Sequence, residues 1–309
     1  MRSPLVACAL AIVAAVALPA SASADPPPVL RWAGDPEGGA PFVEADPEHP
    51  DTLVGFDVEI AALVARSLGR TPQFVFVGYA HIDQSVARGD ADIGLSGIED
   101  TPSRRASMAP TVPYYAFREV LSVRTADASR FRTLADLAGR RVGTLGGTIA
   151  YDILLAAARE HGLQPVSYDD DVHPYSDLVL GRLDAVLLDH VVADRRRRDV
   201  SGFTIAQEPV ATGHYVGVLA PGNTALRAAV DEILRQAMRD GTLEGIFRRW
   251  HVWNDDQPAL FARVLAGSPI DPVTGTRLLT SQAADSVWSA TRRYLPSLVR
   301  AAGITVLLS

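Results

Sequence analysis

The sequence contains no lysine and only one cysteine, Cys8. Every strongly basic side chain is therefore arginine, a bias that reflects a GC-rich genome more than a function. Cys8 lies inside an apolar N-terminal stretch, so a chain that loses this stretch has no thiol at all. That excludes disulfides, thiolate nucleophiles and cysteine-ligated metals. No histidine pair has metal-ligand spacing, and no Ser-His-Asp set is visible. His81, His173, His190 and His214 are scattered. Long basic blocks are also missing from a chain of formal net charge −7, which argues against a nucleic-acid partner. The one exception, Arg195–Arg198, falls on a predicted helix and is expected to be a solvated face.

What is present begins with a leader. Met1-Arg2-Ser3 is a short positive start, Leu5 to Leu18 is nearly unbroken apolar sequence, and Ala22-Ser23-Ala24 supplies small residues for cleavage. Residues 1–24 are expected to be a secretory signal peptide, placing the mature protein in the periplasm. Leu5-Val6-Ala7-Cys8 resembles a lipoprotein box, but it precedes the apolar region instead of following it.

The mature chain alternates strand and helix signals. "VLRWAG" (29–34) reads as a strand, and "GFDVEIAALVARSLGR" (55–70) has helical apolar spacing with Asp57 as a plausible N-cap. "QFVFVG" (73–78) and "ADIGLSG" (91–97) read as strands flanking a short helix at 82–89. A second unit repeats the plan. It has a strand at Val142–Leu145, a Gly-Gly-Thr turn and a long helix, then strands at 165–170 and Ala185–Leu188. "HYVGVLAPG" (214–222) returns as a strand, and two helices separated at Gly241 follow. The fold class is α/β, with mostly parallel sheets covered by helices. In such sheets the ligand site lies beyond the carboxyl ends of the strands. "GLSGIEDTPSRR", "GGT" and Asp189 stand at three such ends and should face one another across a cleft.

Five segments, "LVGFDVEIA", "DADIGLSGIEDTPSRR…PYY", "LAGRRVGTLGGT", "GRLDAVLLD" and "DGTLEGIFRRW", occur in order over roughly residues 29–253. Together they resemble the amino-acid-type (family 3) periplasmic solute-binding proteins of ABC transporters. The resemblance implies two lobes joined by two hinge strands that close on a ligand. Lobe 1 would comprise residues 29–113 and 217–256, and lobe 2 residues 119–213. It implies an amino acid as ligand and a transporter permease as partner, with neither cofactor nor metal.

Carried over residue by residue, the resemblance makes Arg104, in the Thr-Pro-x-Arg frame, the group that grips the ligand carboxylate. A planar guanidinium suits that task through two parallel hydrogen bonds. Arg105 has no such role and reads as a surface residue. Backbone N–H groups near Gly97 and at Gly147, with the Thr148 hydroxyl, would complete the carboxylate site. Asp189 would hold the ammonium, and Tyr79 would form an aromatic platform.

Glu99 departs from the pattern, standing where a small hydroxyl residue is usual. It would pair with Arg104 and compete with the ligand, point outward, or recognise a cation. With Asp35 and Glu37 in the first loop it tilts the ligand toward a polar or cationic amino acid. Glu99 as a general acid would favour a different class, a dehydratase acting on a cyclic acid. A ligand-sensing input domain is a third reading.

Residues 257–283 read as a linker, and 284–309 resemble the start of the cognate polar amino-acid permease. Arg292, Arg293, Trp288 and Tyr294 in this tail suit a membrane interface, so the protein is expected to touch or be tethered to the inner membrane through it.

Overall fold

The computed structural model describes residues 28–37 and 39–273. The expected leader, the tail 284–309 for which a permease resemblance was expected, and residues 274–283 of the expected linker lie outside the described residues.

Two mixed sheets carry two lobes. The first orders its strands Thr71–Phe76, Val29–Gly34, Ile93–Gly94, Val218–Leu219 and Ala109–Pro110. The second orders Phe203–Ile205, Tyr115–Arg124, Ala185–Asp189, Arg141–Leu145 and Gln164–Tyr168, with Ala211–Tyr215 also paired to Tyr115–Arg124. The sheets are less parallel than the alternation suggested. The parallel pairs occur where helices cross over, as between Val29–Gly34 and Thr71–Phe76. The strands that enter or leave a lobe run antiparallel to their neighbours.

Helix Phe56–Ser67 forms as its apolar spacing predicted, but the face it buries completely is Phe56, Ile60, Ala61, Val64 and Ala65, while Val58, Ala62 and Leu68 are only partly buried. Its N-cap is Gly55, however, and Asp57 lies inside the first turn with its carboxylate turned into the protein. The stretch 214–222 is two strands. The chain breaks at Val216-Gly217, where the Gly217 N–H donates to the Thr111 hydroxyl at 2.9 Å.

Two connections join the lobes at one edge. Tyr115–Arg124 leads out of the first lobe and Ala211–Tyr215 leads back. They pair antiparallel from Glu119–Ala211 to Tyr115–Tyr215. Phe117 stacks on Tyr215 with ring centroids 4.6 Å apart, and Tyr115 on its other face at 5.5 Å. The hinge is therefore a two-stranded ribbon stiffened by three aromatic rings.

The expected linker begins as structure. Helix Asp256–Leu265 packs against the hinge strand Tyr115–Arg124 and helix Thr224–Arg239, and it buries Leu260, Phe261 and Val264. Gln257 is wholly buried, and its amide completes a two-way pair with the backbone of Ala116. The Ala116 N–H donates to its Oε1 and its Nε2 donates to the Ala116 carbonyl, both at 2.9 Å. Arg118 and Asp256 add a bidentate pair at 2.7 Å. Apolar residues at helical spacing overrode the Pro- and Asp-rich look of the segment.

The arginine run also departs from a plain solvated face. Arg195 forks onto Glu44, reaching from helix His190–Asp199 of the second lobe to the short strand Glu44–Ala45 of the first. Arg196 binds the buried Asp171 at 2.7 Å. Arg197 and Arg198 are the exposed members.

Candidate functional site

A cavity of about 250 Å³ opens between the lobes. Asp35, Tyr79, Gly97, Glu99, Thr148 and Asp189 all line it, and Gly147 lies between two lining residues, Gly146 and Thr148. Arg104 is not among the lining residues, and no arginine among the described residues lines the wall.

Local sequence explains where Arg104 goes. Thr101 caps the helix Pro102–Ser107 by accepting the Arg104 N–H at 3.1 Å, with Pro102 preset at the first helical position. The side chain then turns behind the cavity. Its Nε donates to Asp83 at 2.9 Å and its Nη1 to the Glu99 carbonyl at 2.9 Å. The same Nη1 lies 3.5 Å from the Glu99 carboxylate, and the guanidinium sits 5.6 Å from the Tyr79 ring centroid. Arg105 is at the surface as expected, and from there it forks onto buried Asp100 at 2.8 and 2.6 Å and reaches the Ile270 carbonyl.

Glu99 stands between Arg104 and the cavity. Both its carboxylate oxygens accept the Ile149 N–H, at 3.0 and 3.1 Å. Ile149 is the first residue of helix Ile149–His161 in the other lobe, where unpaired N–H groups and the helix dipole favour an anion. Burial pushes the Glu99 carboxyl up to about 7, against the opposing pull of Arg104 and the Ile149 N–H.

Glycine is required at position 97. Its φ is +62°, and a Cβ there would come within 2.6 Å of the Phe42 ring. Its N–H, expected to serve a ligand, is already held by Asp57 at 2.7 Å. Asp57 also accepts the Tyr114 hydroxyl at 2.9 Å, and burial pushes its carboxyl up to about 7. The sequence signal for Asp57 was present but suggested the wrong role, because a helix-start aspartate normally caps its own helix.

The Asp35 carboxylate accepts the Glu37 N–H at 2.9 Å and the Tyr79 N–H at 2.8 Å, so it shapes the cavity rim. The Thr148 hydroxyl donates to the Leu145 carbonyl and accepts the Tyr151 N–H as the helix cap. Asp189 caps helix His190–Asp199 through the Val192 N–H at 3.0 Å while also lining the cavity. Burial raises its carboxyl to about 6. Opposite Asp189 on the neighbouring strand Tyr115–Arg124, the buried carboxyl of Glu119 is pushed far above its ordinary value by burial, then by Glu99 and Asp189. Sequence reading missed Glu119, Asp169 and Tyr168; the last two line the cavity.

Five acidic residues thus line one small space: Asp35, Glu37, Glu99, Asp169 and Asp189. Phe42, Tyr79 and Tyr168 supply its aromatic walls, and among the described residues His81 is the only basic one that lines it. Among the described residues no group of three or more acidic, histidine or cysteine side chains is arranged to hold a metal ion.

A two-lobed α/β protein with an acidic interlobe cavity is built to enclose a small solute. Residues 32–252 match the bacterial extracellular solute-binding proteins, family 3, and the chain belongs to that family. It is 28% identical over 203 residues to the ABC transporter arginine-binding protein 1 of Escherichia coli, covering 64% of this chain and 82% of that one. It is also 28% identical over 253 residues to the histidine-binding periplasmic protein of Salmonella typhimurium, covering 79% and 95%. A solved ancestral arginine-binding protein bound to arginine superposes with a TM-score of 0.67 at 25% identity, over 72% of this chain and 97% of that one.

Proposed function

We propose that this protein captures a small polar or cationic solute of the amino-acid class outside the cytoplasm and hands it to an ABC-transporter permease. The observation that carries the reading is the interlobe cavity with five carboxyl groups and no arginine on its wall. Relatives whose names specify arginine and histidine support the solute class. The family is one of binding proteins, so the solute is held and released unchanged.

The cavity residues Asp35, Tyr79, Gly97, Glu99, Gly147, Thr148 and Asp189 form the ligand shell in this reading, with Arg104 supporting it from behind. Lobe 1 is residues 29–113 and 217–256, and lobe 2 is 119–213. The 1–24 leader directs the chain to the periplasm, and the tail 284–309 tethers it to the inner membrane beside the permease. Isothermal titration of the mature protein with the twenty standard amino acids and ornithine tests the capture. Saturable heat with arginine, lysine, ornithine or histidine is expected, and none with glutamate or aspartate.

A further inference from the structure

We propose that the cavity selects a small organic cation, an amine or guanidinium without a free carboxylate, because the side chain of Glu99 already fills the anion seat. The inference rests on the capture reading and narrows its ligand class.

The seat has two parts. One is the guanidinium of Arg104, and the other is the first N–H of helix Ile149–His161. Each would attract a ligand carboxylate, and both face Glu99 instead. The Glu99 side chain is 7% exposed and that of Arg104 is 12% exposed, so solvent does little to screen the pair. Arg104 is additionally held by Asp83 at 2.9 Å. A carboxylate entering the cavity would have to displace Glu99 from the helix terminus. Glu99 would then be left buried beside another anion, which is costly.

The rest of the wall points the same way. Asp35, Glu37, Asp169 and Asp189 would each repel a second carboxylate, and no arginine among the described residues lines the wall to offset them. A cation meets these four acids together with Tyr79 and Tyr168, whose ring faces favour ammonium and guanidinium groups. The protein supplies the carboxylate and the ligand supplies the cation, so the lobes can close around a solute that has lost its acid group.

The test compares three ligands of one skeleton, L-arginine, its amide and its decarboxylated amine agmatine, by calorimetry on the mature wild type, Glu99→Ser and Glu99→Gln. Melting curves establish that each variant is folded. The wild type should bind agmatine and the amide at least about tenfold more tightly than arginine. Glu99→Ser, which vacates the seat and leaves Arg104 in place, should narrow or invert that order. Glu99→Gln keeps the shape without the charge and should move the same way; it decides the matter if the serine variant does not fold. Arginine bound by the wild type as tightly as agmatine would overturn the inference and leave the capture reading standing. An unchanged order in both variants would overturn the role of Glu99. No binding of lysine, ornithine, histidine, arginine, its amide or agmatine by the wild type would remove the capture reading, and the inference with it.

Discussion

The carboxylate of Glu99 and the backbone N–H of Ile149 meet across the cleft at 3.0 and 3.1 Å, joining one lobe to the helix terminus of the other. Together with the Glu44–Arg195 pair, this contact ties the lobes. Losing both should loosen the closed arrangement. In small-angle scattering without added ligand, the double variant Glu99→Ala, Arg195→Ala should show a larger radius of gyration than the wild type. Identical profiles for the two proteins would reject the internal tie.

Stability should decline with rising pH. Burial raises the carboxyls of Asp57 and Glu99 to about 7 and of Asp189 to about 6. A raised carboxyl means that the folded state favours the protonated form. The stabilisation is complete below the ordinary carboxylate range near 4 and is lost as pH climbs through about 6 to 7. The melting temperature should drop by about 5 °C or more between about pH 4.5 and 8. Asp57→Asn, which keeps an acceptor for Gly97, should flatten that slope; a slope as steep as wild type would assign the effect to other groups.

The two adjacent arginines should fail in different ways. Arg104→Ala strands Glu99 and Asp83 around a vacated buried site, costing about 3 kcal/mol and most ligand affinity. Arg105→Ala leaves buried Asp100 without its fork. Because the Arg105 side chain is 37% exposed, water replaces part of the lost pairing and the cost is about 1–2 kcal/mol, with ligand affinity retained. Chemical denaturation and calorimetry on both variants separate the outcomes, and loss of binding in Arg105→Ala alone would reverse the assignment.

Gln257 should be needed for the hinge. Gln257→Leu leaves the Ala116 N–H and carbonyl buried without partners, at about 2 kcal/mol. A chain ending at residue 256 loses the whole of helix Asp256–Leu265 beyond its first residue and should melt well below a chain ending at 273. Equal melting points for the two truncations would show that this helix rides on the hinge without supporting it.

Much of this was legible along the chain. Apolar spacing in 55–70 marked a helix, whereas the short helix Pro102–Ser107 that carries Arg104 was read as a loop although Thr101-Pro102 is a helix-start signal. The turn Gly146-Gly147-Thr148 and the strand end at Asp189 marked two sides of the cavity, because helix caps and strand ends follow from local residue chemistry. Such signals depend on neighbours a few residues away. Which donor meets which acceptor depends on the packing of distant segments. Asp57 reaching Gly97, Glu99 reaching Ile149 and Gln257 reaching Ala116 span 40, 50 and 141 residues. Arg104 had the residue type for a ligand carboxylate, but tertiary packing placed Asp83 and Glu99 around it first. A guanidinium closed off from water takes the nearest carboxylates, and only the folded chain sets which ones those are.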